Sequence, residues 1–173
     1  ANLADFGNVA FSGNYSTPYW GSIEKRLSER QRETIFGWDG SSSFELGKFF
    51  PEKWGIKLPL FLGYSESFIN PQYDPLNPDI LFQMSASDMT PEQKAAYKEK
   101  AQNYTRRRSM NFTNVRKEKS KTESKPMPWD ISNWSATYSF NEIYHRDVNV
   151  EYNTNKTYRG GLTYAYNSNP KPI

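Results

Sequence analysis

The chain has 173 residues, with 22 basic and 19 acidic side chains, a net charge of +3 at pH 7 and no cysteine. So weak and scattered a charge leaves no electrostatic footprint for a nucleic-acid partner, and the missing thiols exclude a disulfide framework, a thiolate nucleophile and a sulfur-ligated metal. Aromatic residues make up 16% of the sequence against a negative mean hydropathy, a pairing expected of strands that are oily at alternate positions and unusual for a soluble enzyme.

The chain opens on ANLADFGN, without an initiator Met, a basic n-region or an apolar h-region. A signal peptide is therefore expected to have been removed, or to lie elsewhere in a longer protein. No stretch approaches the ~18 apolar residues of a spanning helix, so membrane contact is expected through strands.

In chain order, the first strand is predicted over residues 6–15, where Val9, Phe11 and Tyr15 alternate with Asn8, Ala10, Ser12 and Asn14. Ser16 to Thr34 reads as a solvated connection in which Ile23 and Leu27 stand one helical turn apart, the spacing of a short helix. Strands over 35–46 and 55–65 form the clearest feature. Phe36, Trp38, Phe44 and Leu46 share one parity, with Asp39 and Glu45 on the other; Ile56, Leu58, Leu60, Leu62 and Tyr64 share a parity opposed by Lys57, Pro59, Phe61 and Gly63.

The intervening FFPEKW folds the second strand antiparallel onto the first, closing at Pro51 to Lys53. Phe49, Phe50 and Trp54 are expected to gather at the turn end, and Phe36, Trp38, Tyr64 and Phe68 at the far end. Two aromatic belts flanking an aliphatic middle suit a strand pair that crosses a membrane; a sandwich hairpin with an aromatic core has the same pattern. Pro59 removes one ladder hydrogen bond and predicts a bulge.

Asn70 to Asp79, with three prolines, reads as a rigid loop. A surface helix is predicted over 90–108, with Thr90 as cap, Pro91 at the first position and Gln93 completing a capping box. Arg106, Arg107 and Arg108 then complement the negative end of its dipole; the same arginines also suit phosphate or a lipid headgroup, but dipole complementation is the plainer account. A strand over 109–115 with a poor pattern, a charged link from Arg116 to Pro126, a strand over 133–144, a loop from Asp147 to Lys156, where Val148, Val150 and Tyr152 alternatively continue the strand, and a strand over 157–167 complete the chain. In the last two strands Trp134, Ala136, Tyr138, Phe140 and Tyr144 oppose Ser135 and Thr137, and Tyr158, Leu162, Tyr164 and Tyr166 share a parity.

No catalytic grouping, cofactor motif or metal-ligand spacing emerges, so no enzyme is expected. His145 has no sequence-defined nucleophile and reads as structural or exposed. Asp74, Asn77 and Asp79 offer oxygen ligands that would suit calcium, but their spacing is not that of a calcium loop and the neighbouring prolines account for them as turn residues. Gly160 and Gly161 sit in no phosphate-cradling pattern.

Six strands are too few for a barrel, which needs about eight, and an open sheet exposes unpaired edges. Either a sandwich or part of a larger barrel follows, and the polar SNPKPI tail fits a break inside a longer chain.

Three stretches carry a resemblance: LADFGNVAFSGNYSTPYWGSIEKRLSER, FELGKFFPEKWGIKLPLFLGYSESFINPQYDPLNPDI and PWDISNWSATYSFNEIYHRDVNVEYNTNKTYRGGLTYAYN. Together they resemble the SprA/Sov family, the giant outer-membrane translocon of the type 9 secretion system of Bacteroidota, which is also needed for gliding motility. The resemblance implies that this chain is one segment of a very large transmembrane β-barrel. It implies passage of folded cargo proteins through the cell outer membrane, with a PorV-like barrel and a periplasmic plug protein as partners alongside the remainder of the same barrel and outer-membrane lipid.

On that reading Phe36, Trp38, Phe44, Leu46, Ile56, Leu58, Leu60, Leu62, Trp134, Tyr138 and Phe140 face lipid or a packed partner, while Asp39, Glu45, Lys57, Ser135 and Thr137 face the lumen. The end carrying the long connections is expected to be extracellular. The alternatives are a secreted β-sandwich binding module with an aromatic surface, and another outer-membrane barrel such as a lipopolysaccharide-inserting one.

Overall fold

A computed structural model describes residues 2–3, 6–26, 29–119 and 127–166. Six long antiparallel strands dominate it: β2 (Gly7–Ser16), β3 (Glu33–Glu45), β5 (Pro59–Pro71), β6 (Asn103–Lys117), β7 (Trp134–Arg146) and β8 (Asn153–Tyr164). Two short pieces, β1 (Asn2–Leu3) and β4 (Ile56–Lys57), add to them, and all lie in one sheet in the order β1-β2-β3-β5-β6-β7-β8, with β4 pairing β6. Each long strand is thus paired with its neighbours in sequence. The sheet is mainly β and open: β1 touches only the first residues of β2, and β8 has no partner on its outer side among the described residues.

No second sheet covers it among the described residues. Apolar burial is correspondingly slight, with Ala86 and Ala101 the only buried apolar residues described, while Phe11 is 72% exposed and Leu162 68%. Trp38 and Leu60 are half-buried and Tyr138 exposed. These residues lie on the surface of a single layer, not interlocked between two.

The turn between β3 and β5 is built from two 3-10 turns, Leu46–Phe49 and Glu52–Trp54. Gly55 closes the second with φ 60°, a left-handed conformation in which a Cβ would lie 2.0 Å from the Glu118 carbonyl oxygen, so only glycine fits without strain. Leu46 N–H donates to the Leu58 carbonyl at 2.9 Å and Leu58 N–H to Glu45 Oε1 at 2.8 Å. Backbone groups alternate sides along a strand, so the nitrogen of Pro59, which has no hydrogen to donate, points toward β6.

There the ladder breaks, passing from Lys57↔Arg116 to Leu60↔Phe112. β6 also carries one residue more than β7 between Phe112 and Val115, and Asn114 adopts φ 56°. The bulge predicted at Pro59 therefore lies in the strand opposite it, while Pro59 itself pairs regularly with Glu45 in β3.

Several boundaries differ from expectation. The helix predicted over 90–108 ends at Ala101: α2 is Pro91–Ala101, with the Thr90–Gln93 capping box present and Gln102 already extended. Arg106, Arg107 and Arg108 stand in β6, so the helix-dipole account of them is overturned. Arginine has good helix propensity, but ten consecutive residues of β5 pair with this stretch, and that pairing outweighs a propensity of tenths of a kcal/mol per residue.

For the same reason the strand predicted over 109–115 begins at Asn103, and the strand predicted over 55–65 breaks at Leu58 and runs on to Pro71. Of the loop expected from Asp147 to Lys156, only 147–152 is a turn; β8 starts at Asn153 and ends at Tyr164, short of Tyr166. The described residues of the connection 17–32 hold turns and bends, with Glu29 in 3-10 conformation and no α-helix. Arg30 organises it by donating to the carbonyls of Lys25, Tyr19 and Ser22. Leu27, most of the charged link and the SNPKPI tail lie outside the described residues.

The remaining connection, 72–102, folds over the same end as 17–32 and 147–152. It contains α1 (Phe82–Ser85) and α2, whose Phe82 and Tyr97 rings stack with centroids 5.5 Å apart. The short β3–β5 turn lies at the opposite end, as expected.

Candidate functional site

Residues directly paired in an antiparallel sheet project to the same face, so the register sorts every strand residue into one of two sets. One face carries Phe36, Trp38 and Phe44 of β3, Leu60 and Leu62 of β5, and Trp134, Tyr138 and Phe140 of β7. Ile56 of β4 falls with them, and Leu46 and Leu58 continue that parity just past the strand ends. The opposite face carries Asp39, Glu45, Lys57, Ser135 and Thr137. Both predicted sets are therefore brought together, each on its own side.

The polar face is a field of short hydroxyl and amide side chains. Ser12 Oγ donates to Asp39 Oδ1 and Ser43 Oγ to Asn8 Oδ1, each at 2.6 Å. Phe61, Ile35, Ile69 and Ile143 are exceptions on this side; the Phe61 ring lies where a Cβ on Gly63 would come within 3.3 Å, so the glycine makes room for it. His145 also belongs here, its Nδ1 3.0 Å from Thr105 Oγ1 and its Nε2 3.0 Å from Asp147. Asp147, in the β7–β8 turn, is held below the usual carboxylate range first by His145 and then by the Asn149 N–H. A shallow hollow on this face is lined by Asn14, Asp39, Ser65, Ser67, Arg107 and His145 among others.

The aromatic face changes character along its length. Near the β3–β5 turn it is apolar: Val9, Ser42, Leu62, Met110, Phe140 and Tyr158 form one row across the sheet, and Phe44, Leu60, Phe112 and Tyr138 the next. Phe140 and Tyr158 pack at 5.0 Å, as do Trp134 and Tyr164 at the edge of this zone. The turn itself carries Phe50 against Trp54 at 5.9 Å; Phe49, expected with them, packs instead on Phe6 at 5.5 Å.

Toward the long loops the same face becomes charged. Phe11, Gly40, Tyr64, Arg108, Glu142 and Lys156 make one row, and Trp38, Glu66, Arg106 and Tyr144 the next. Glu66 accepts from Trp38 Nε1 at 3.2 Å, Tyr64 Oη at 2.7 Å and Tyr104 Oη at 2.8 Å. Glu142, only 8% exposed, draws Arg106 to 3.2 Å, Lys156 to 3.8 Å and Arg108 to 3.9 Å. Arg106, Arg108 and Arg146 lie over the rings of Tyr144, Tyr64 and Tyr104 at 5.1 to 5.7 Å. Phe36 stacks on Phe68 at 6.0 Å and Trp38 on Tyr64 at 5.2 Å, so the predicted far-end aromatic cluster forms, threaded with ion pairs.

Sequence reading missed these charges on the oily side. Glu142 stands at even parity between Phe140 and Tyr144, inside the strand predicted over 133–144, and Glu66 stands between Tyr64 and Phe68, one residue past the strand predicted over 55–65. Arg106 and Arg108 were hidden by the helix assignment.

Asp74, 2% exposed, anchors the loop cap above this end. Its Oδ1 accepts from Leu76 N–H at 2.9 Å and Tyr97 Oη at 2.8 Å. Burial pushes its pKa up, but hydrogen bonds from Ser85, Leu76, Tyr97 and Asn77 outweigh that and hold it below the ordinary value. Its role is to fold the loop. Among the described residues, no three of His, Asp and Glu gather as a metal site.

Residues 1–86 match the model of the SprA_N family, described as motility related/secretion protein. That stretch is SprA-related, and it includes the first two of the three sequence stretches that carry the resemblance; the third lies beyond it. No curated protein matches the chain.

Proposed function

We propose, from a segment whose first 86 residues are SprA-related and so tied to motility and secretion, that this sheet is part of the wall of a large outer-membrane β-barrel that passes folded cargo proteins. The observation that carries the reading is the division of one uncovered sheet into an aromatic face and a Ser/Asn/Thr face. Water on both sides would leave the row through Leu62, Met110 and Phe140 without a partner. Lipid on one side and a hydrated lumen on the other suits both faces, and further strands of the same chain would satisfy the two open edges.

In this reading the chain performs no chemistry. Its long-loop end is extracellular, by the asymmetry usual in such barrels, and a PorV-like barrel, a plug protein and cargo are partners of the whole assembly.

Because the chain has no native cysteine, single cysteines test the reading in the full-length parent protein, in an otherwise cysteine-free background. In membranes, a water-soluble maleimide is expected to label Ser139→Cys and Asn141→Cys and to spare Phe140→Cys and Leu62→Cys. Equal labelling of both sets would sink the wall.

A further inference from the structure

The charged zone of the aromatic face has a layered arrangement. Glu142's side chain is 10% exposed, whereas the cations around it are 27% (Arg106), 46% (Arg108) and 51% (Lys156) exposed. Glu66, half-buried, accepts from Trp38, Tyr64 and Tyr104. Arg146 completes the zone, paired with Glu99 of α2. Four cations thus stand against two strand carboxylates and one from the helix. Glu142 lies low while the ammonium and guanidinium groups around it reach outward, and Glu66 is engaged by its three donors, so an approaching molecule meets positive charge.

The approaches of Arg108 and Lys156 to Glu142 are long, at 3.9 and 3.8 Å. They hold the cations in place without locking them. Two residues along the same strands, about 7 Å away, Met110 and Tyr158 join the apolar row with Leu62 and Phe140. A ligand covering both zones needs an anionic head joined to a hydrocarbon body.

We propose that this belt binds the phosphate of a phosphorylated lipid headgroup, with Arg108 and Lys156 as the principal contacts and Arg106 fixed behind them by Glu142. Arginine and lysine pair well with phosphate oxygens, and tyrosine rings beneath the guanidiniums suit the membrane interface, where one end is dry and the other wet. Arg107 and Arg159, on the polar face, serve as matched cations that the lipid does not reach.

The proposal rests on the barrel-wall reading, and its test separates the two. Full-length parent protein is titrated with vesicles of phosphatidylcholine, with and without phosphorylated anionic lipid, and inorganic phosphate is titrated alone. Preference for the phosphorylated lipid is expected to fall roughly thirtyfold in Arg108→Gln/Lys156→Gln, to survive in Arg108→Lys/Lys156→Arg, and to be unchanged in Arg107→Gln/Arg159→Gln.

No preference in the wild type, or an equal loss in the polar-face control, overturns the site. Binding of inorganic phosphate with the same dependence on Arg108 and Lys156 overturns the lipid as its source. Where Phe140→Cys stays shielded and the preference is absent, the headgroup site fails alone; where Phe140→Cys labels freely, the wall fails with it.

Discussion

Two stretches of the same face, on the same six strands, solve opposite problems. Around Leu60, Leu62, Met110 and Phe140 the side chains are apolar and touch few partners, so their stability depends on what lies outside the sheet. Around Glu66, Arg106, Tyr144 and Glu142 the side chains engage one another through hydrogen bonds, ion pairs and cation–π contacts, with Arg106 Nε left without an acceptor. The first zone is incomplete in water and the second is largely self-sufficient. A strand can therefore pass from one surrounding to another without any break in its ladder, because the backbone pairing runs regularly from one zone into the next and only the alternate side chains change.

The sharpest way to break this contrast is Glu142→Ala, which strips the counter-charge from three cations. An ion pair whose carboxylate is nearly buried leaves its partners unpaired at a cost of about 3 kcal/mol, to be read from denaturant unfolding of the parent protein in lipid vesicles. Of similar size, Phe140→Arg carries charge into the apolar zone and is expected to cost about 3 kcal/mol in lipid, whereas Ser139→Arg one residue away costs about 0–1. Equal costs for the two arginines would erase the distinction between the faces.

Smaller is Asp74→Asn, expected to cost about 2 kcal/mol through weakened hydrogen bonds in the loop cap, as loss of amide exchange protection around Tyr97. Because Asp74's folded pKa is depressed, its carboxylate contributes fully above the ordinary value of ~3.9, and that contribution is lost as pH falls through the lower folded value. Protection in the wild type should drop in that acid range, and Asp74→Asn should flatten the drop. Least of all, Thr90→Ala removes the cap of α2, about 1 kcal/mol, and should fray the first turn while leaving the sheet untouched.

Much of this was legible in the sequence. The period of two found five of the six long strands, β6 showing only a poor pattern over 109–115, and the parity of Phe36 to Phe44 and of Ile56 to Leu62 put each predicted set on one face of the sheet. What the period missed lay where long-range pairing decides. Residues 103–108 carry polar and cationic side chains with no local reason to extend; only the adjacent strands β5 and β7 make them a strand. The bulge moved for a related reason: a proline's missing hydrogen is felt by the strand it faces, and the added residue at Asn114 absorbs the mismatch there. The charged network was out of reach because each of its members is an ordinary surface residue until four strands are set side by side.

The connectivity carries a further consequence. Since every long strand hydrogen-bonds to the long strand just before it in the chain, assembly can proceed hairpin by hairpin in chain order, with no distant segment awaited and the 72–102 connection as the longest span to close. A chain built on that plan grows in width simply by appending another up-and-down pair, which offers a direct route from a modest sheet to a structure of very large circumference.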